Sequence, residues 1–136
     1  MKHTWLLLPL AVACVTAHAE DGRTNLNLSP GERAVFLADM RNMLASVQSI
    51  MQGIGESDRR KIADAAQQSG NRMARATPTS IRAKMPQSFR DIGGPTHMMF
   101  EELAVRAETD DMDMLSRETS EIMSKCIACH AEFRVF

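Results

Sequence analysis

Phe36, Met40, Met43, Val47, Ile50 and Ile54 follow one another at steps of four, three, four, three and four residues. That is the step of an α-helix seen along one face, and it recurs through the rest of the chain. No segment alternates apolar and polar residues at period two, so no strand is expected. Composition agrees: the 136 residues include eleven methionines but five phenylalanines, one tryptophan and no tyrosine. Unbranched methionine suits helices and fills irregular gaps between them. These patterns predict an all-α fold.

The helix boundaries follow from local signals. Ser29-Pro30-Gly31-Glu32 is a start signal, with Ser as cap, Pro at the first helical position and Glu32 completing a capping box. Helix A is expected over 30–53, ended by Gly53 and Gly55. Ser57 or Asp58 starts helix B, expected over 58–76. Its core face of Ile62, Ala65, Ala66, Ser69, Met73 and Ala76 is made of small residues, which implies close approach of a neighbour. A long connection over 77–94 contains Pro78, Pro86, Gly93 and Gly94, with a helical turn around 81–85. Pro95 starts helix C, over 95–108, and Asp110 caps helix D, over 111–132. Residues 20–28 read as a loose polar arm. Short A–B and C–D connections and a long B–C one describe an antiparallel four-helix bundle.

The first residues are a separate element. Met1-Lys2-His3, an apolar run over 5–15 and Ala17-His18-Ala19 form a basic start, a short hydrophobic stretch and a small-x-small cleavage site. The run is too short to span a bilayer as a helix. Residues 1–19 are therefore expected to be a cleaved signal peptide, and 20–136 a single exported domain. Cys14 follows Ala11-Val12-Ala13, without the leucine usual three residues before a lipidated cysteine, so membrane anchoring is not expected. With Lys2 gone, 15 basic residues face 17 acidic ones. There is no basic stripe and little aromatic surface, which argues against nucleic acid as a partner.

Removal of the leader also takes Cys14, His3 and His18. The remaining cysteines, Cys126 and Cys129, both lie in Cys126-Ile127-Ala128-Cys129-His130, close to the C-terminus. Cys-x-x-Cys-His is the attachment signature of c-type haem. Two thiols one helical turn apart can add to the two haem vinyl groups, and the adjacent imidazole, His130, becomes the proximal iron ligand. Structural zinc needs a fourth ligand, for which His97 is the remaining histidine. A dithiol redox site belongs beside a βαβ pattern, which is lacking.

The chain resembles the class II c-type cytochromes, the cytochrome c-prime and cytochrome c-556 family. The likeness is carried by the position of the motif near the C-terminus, with an aromatic residue three places after the histidine and an arginine four places after it, here Phe133 and Arg134. It implies a four-helix bundle with one covalent haem c on the last helix. In the c-556 branch a methionine of the first helix, followed by a basic residue, is the sixth iron ligand. Met40-Arg41, with Val47 and Ile50 seven and ten positions on, matches that pattern. The resemblance thus implies Met40 as distal ligand, with Met43 as runner-up, and Arg134 at the haem edge. The family's tyrosine–arginine pair before the distal position is missing, because Phe36 stands where the arginine would, and the nearest arginines are Arg33 and Arg41.

The implied function is electron transport in the periplasm through six-coordinate Met/His iron, with transient redox proteins as partners and no enzymatic activity. The alternative is a five-coordinate cytochrome c-prime that binds nitric oxide or carbon monoxide. Family members often pair through their first two helices, and the small face of helix B permits a homodimer.

Overall fold

Ser29 and Glu32 form the expected capping box. Glu32 N–H donates to Ser29 Oγ at 3.4 Å, and Ser29 N–H donates to Glu32 Oε2 at 2.8 Å. Helix α1 (Pro30–Glu56) grows from this cap. The computed structural model describes residues 20–136. The expected signal peptide and Cys14 lie outside the described residues. The described chain is mostly helical, as the all-α expectation requires. After α1 come α2 (Arg59–Gln68), α3 (Asn71–Ala76), α4 (Thr79–Arg82), α5 (Gln87–Arg106) and α6 (Met112–Glu132). Helix α1 packs on α2 and α6, and α5 packs on the same two helices.

Four boundaries differ from those read in the sequence, each for a tertiary reason. Helix α1 does not stop at Gly53. That glycine is buried, and a Cβ there would stand 2.8 Å from Ile62 Cγ1, so its function is close approach of α2 rather than termination. The helix ends at Ser57, whose φ of 55° is left-handed, with Asp58 N–H returning to Gly53 O at 2.8 Å.

Helix B is two helices. The chain breaks at Ser69-Gly70 because α5 supplies competing partners. His97 Nδ1 lies 2.7 Å from Ser69 O, and Asn71 N–H donates to the Glu101 carboxylate at 2.9 Å. A side chain at Gly70 would run into that carboxylate. Ser69 Oγ donates to Ser46 Oγ at 2.8 Å, which satisfies two buried hydroxyls.

Helix α5 begins at Gln87, well before the expected Pro95, and carries that proline inside it. Pro95 cannot donate to Asp91 O. Both residues are exposed, so water can reach that carbonyl. Helix α6 is capped by Asp111, which accepts from Met114 N–H at 2.7 Å, rather than by Asp110. Asp110 is engaged elsewhere: its carboxylate accepts from Arg106 Nε at 2.7 Å and its carbonyl from Arg59 Nη1 at 2.6 Å.

The fifth correction concerns the arm. Residues 20–28 are not loose. Strand β1 (Thr24–Asn25) pairs in parallel with β2 (Phe133–Arg134), in register Thr24 to Phe133 and Asn25 to Arg134. Leu26 and Leu28 are buried.

Two apolar clusters result. The larger is built from α1, α2, α5 and α6 around Val47, Ile50, Ile62, Phe100, Leu103 and Ile122. The smaller joins Leu26 and Leu28 of the arm to Ile81, Met85, Phe133 and Val135, with Phe36, Phe89 and Cys129 packed against it. In it Phe89 stands edge-on to Phe133, with ring centroids 5.3 Å apart, and tilted against Phe36 at 5.9 Å.

The capping box also sets an acid limit. Glu32 is held down to about 2 by the Lys84 ammonium first and by the Ser29 N–H second, with Lys84 Nζ at 2.6 Å. A carboxylate whose pKa is lower folded than unfolded stabilises the fold fully above its unfolded value, near 4.5. That contribution is lost as pH falls from there toward 2. Glu32→Gln is therefore expected to flatten the fall of melting temperature across this acid window. Parallel melting curves for the two chains would contradict the assignment.

Candidate functional site

The last two turns of α6 carry Cys126, Cys129 and His130. Residues three apart on a helix share one side, and both thiols lie half-buried on it. Both are free thiols. Burial, its largest cause, pushes the Cys129 thiol up to about 11, with help from Cys126 and Glu132, and burial raises the Cys126 thiol as well. At neutral pH both are protonated S–H groups. A redox-active dithiol has the opposite environment, one that lowers the thiol pKa.

Cys129 packs against the smaller cluster, and so do Phe36 and Leu37 of α1. The turn of α1 that leads into Met40 and the turn of α6 that carries the second thiol thus border the same cluster. Met40 itself is half-buried at the edge of the larger cluster, together with Met123 of α6. Met43 lies deeper, 9% exposed, as a member of that cluster. His130 is exposed on the final turn. Its backbone carbonyl accepts from Arg23 Nη1 at 3.2 Å.

The remaining candidates are distributed as follows. His97 sits on α5 with Nδ1 on Ser69 O, at the α2–α3 break, where it serves the fold. Arg134 donates from Nε to Arg23 O at 3.2 Å and from Nη1 to Phe136 O, so its guanidinium ties the arm to the C-terminal residues. Arg33, on the first turn of α1, lies over the Phe136 ring, with its guanidinium carbon 5.1 Å from the centroid. Its Nε is buried and has no hydrogen-bond partner among the described residues. A buried guanidinium N–H without a partner is a natural seat for an anionic group. Arg41 is exposed.

Sequence reasoning missed the arm, and with it Asp21 and Arg23. A weak signal was present, since Leu26 and Leu28 alternate with Asn25 and Asn27. Two hollows, of about 340 and 170 Å³, lie between α1 and α2 and between α5 and α6, and neither is lined by Cys126, Cys129 or His130. Among the described residues no helix is long and apolar enough to cross a membrane, and no three His, Cys, Asp or Glu side chains converge as a bare metal site.

No protein family, curated protein or solved structure matches this chain.

Proposed function

We propose that this chain is a periplasmic class II c-type cytochrome, an antiparallel four-helix bundle that carries electrons on one covalently attached haem c. The bundle reading is supported by the neighbour order, in which α1 and α5 each pack on both α2 and α6. The observation that carries the functional reading is the α6 terminus. It has two free, half-buried thiols one turn apart, with the next residue an exposed histidine.

The donor set fits the group. Cys126 and Cys129 would hold the haem, each adding S–H across one vinyl group, sulfur to one carbon and hydrogen to its neighbour, so that no oxidant is consumed. His130 would supply the proximal nitrogen. Met40 would supply a soft thioether from α1, a donor that favours Fe(II) and raises the potential relative to two nitrogen ligands. Its half-buried position leaves it freer than Met43 to reach an added group. The unpartnered Arg33 Nε would receive a carboxylate of the same group. The bound haem supplies reversible one-electron Fe(III)/Fe(II) chemistry. The chain excludes water, retains the group covalently and presents it to transient protein partners. The reading assigns no catalytic residue.

The test is the optical spectrum of the purified chain, exported in cells that have a c-type haem attachment system. Met/His ligation predicts a low-spin spectrum with a weak long-wavelength sulfur-to-iron band, and Met40→Ala is expected to abolish that band. A high-spin spectrum in the unchanged chain that shifts when carbon monoxide meets the reduced form would replace electron transport with gas binding. A colourless chain would end the haem reading.

A further inference from the structure

The C-terminal end of a helix leaves four carbonyls without helical partners. In α6 they are those of residues 129–132. Cys129 O is served locally by Phe133 N–H. His130 O is served from the other end of the chain, by Arg23 Nη1 at 3.2 Å across 107 residues. Arg23 does not reach there as a free side chain. Asp21 grips it bidentately, with Nε to Oδ1 at 2.9 Å and Nη2 to Oδ2 at 2.8 Å. Fork-to-fork pairing of this kind fixes the guanidinium plane.

The backbone of the same segment is also fixed. The β1–β2 pairing continues through Leu26 N–H to Arg134 O at 3.0 Å, and Arg134 Nε returns to Arg23 O. Beyond the strand, Asn27 turns the chain with a φ of 51°, while its N–H donates to Asn25 Oδ1 at 2.9 Å. Asn is among the few residues that tolerate this region. Leu26 and Leu28 anchor the turn in the smaller cluster, against Phe133 and Val135.

From this geometry we infer that the segment 21–28 is a strap over the end of α6, and that Arg23 is a positioning residue for His130. It acts through the backbone. Holding the His130 carbonyl fixes the last turn of α6, which carries Cys129 as well as the imidazole. A cation at a helix C-terminus is also electrostatically favoured. The inference rests on the proposed haem reading for the purpose of the positioning, but not for the existence of the strap.

The experiment compares the full exported chain with Arg23→Ala and Arg23→Lys, by hydrogen exchange at single amides and by reduction potential. Loss of Arg23 is expected to speed exchange at Phe133 and Leu26 by about threefold, the size of a single helix-terminus interaction, while interior amides such as Ile62 stay unchanged. The potential is expected to fall when the cation beside His130 is removed, and to recover in Arg23→Lys. Exchange recovers only in part, because an ammonium cannot be gripped bidentately. Exchange at Phe133 equal to that of the unchanged chain would overturn the strap. Faster exchange with an unmoved potential would overturn the positioning of His130. A chain that carries no haem would overturn the haem reading itself, and the exchange rates would then decide the strap alone.

Discussion

Replacing both Cys126 and Cys129 by alanine is expected to leave a polypeptide from which every trace of haem can be extracted by acidified organic solvent. The unchanged chain should keep its haem through the same extraction. The difference is expected to be all-or-none, because only thioether links would survive denaturation. Each single replacement removes one of the two covalent links, so the chain should retain haem through the other. His130→Ala tests a different bond. It should leave both thioethers possible but deprive the iron of its proximal nitrogen, so that haem stays attached while its spectrum changes. The four variants therefore separate attachment from ligation. They also separate the haem reading from its rival. A dithiol oxidoreductase would be colourless in the unchanged chain, with both thiols open to alkylation. Burial pushes the Cys129 thiol up to about 11, whereas that chemistry relies on thiols with lowered pKa.

How much of this was legible in the sequence depends on where the deciding contacts lie. The start of α1 was legible because the capping box is a local device: Ser29 and Glu32 satisfy each other's neighbourhood within four residues. The stripe from Phe36 to Ile54 was legible because one helix face repeats at a fixed step. The core positions of α6 followed in the same way, and Leu115, Thr119 and Ile122 are buried as the period requires. The break inside helix B was not legible. Nothing near Ser69 announces that, about thirty residues on, His97 will engage the Ser69 carbonyl and Glu101 the Asn71 N–H. The first half of α5 was hidden by Gly93, Gly94 and Pro95, each a helix breaker in isolation. Yet Phe89, Ile92, Thr96 and Phe100 keep the helical step straight through them, and burial of that stripe outweighs the weak local propensities.

The arm shows the same limit in another form. Two alternating leucines are too short a pattern to assert a strand, and the partner of that strand lies at the opposite end of the chain. The candidate site divides along this line. The motif residues Cys126, Cys129 and His130 are contiguous and could be read directly. The group that bears on them from afar, Arg23 on the His130 carbonyl, became visible only when the arm was seen against the end of α6.

The largest loss of stability is expected from Phe100→Ala. Phe100 is fully buried and belongs to the cluster that α1, α2, α5 and α6 share, so its ring contributes to one core common to all four. Truncation of such a ring removes its transfer free energy and leaves a cavity, together about 3–5 kcal/mol. Whole domains of this size are stable by roughly 5–15 kcal/mol, so the loss is a large fraction of the total. The melting temperature should fall by on the order of 15 °C. Ile127→Ala supplies the control. Ile127 lies between Cys126 and Cys129 but is 66% exposed, so its truncation should shift stability by about 0.5 kcal/mol or less. Thermal melting of both variants, followed by far-ultraviolet circular dichroism, makes the comparison. A Phe100→Ala chain that melts within a few degrees of the unchanged one would mean that the four helices do not depend on one shared core. The packing of α1 against α6 would then need another source.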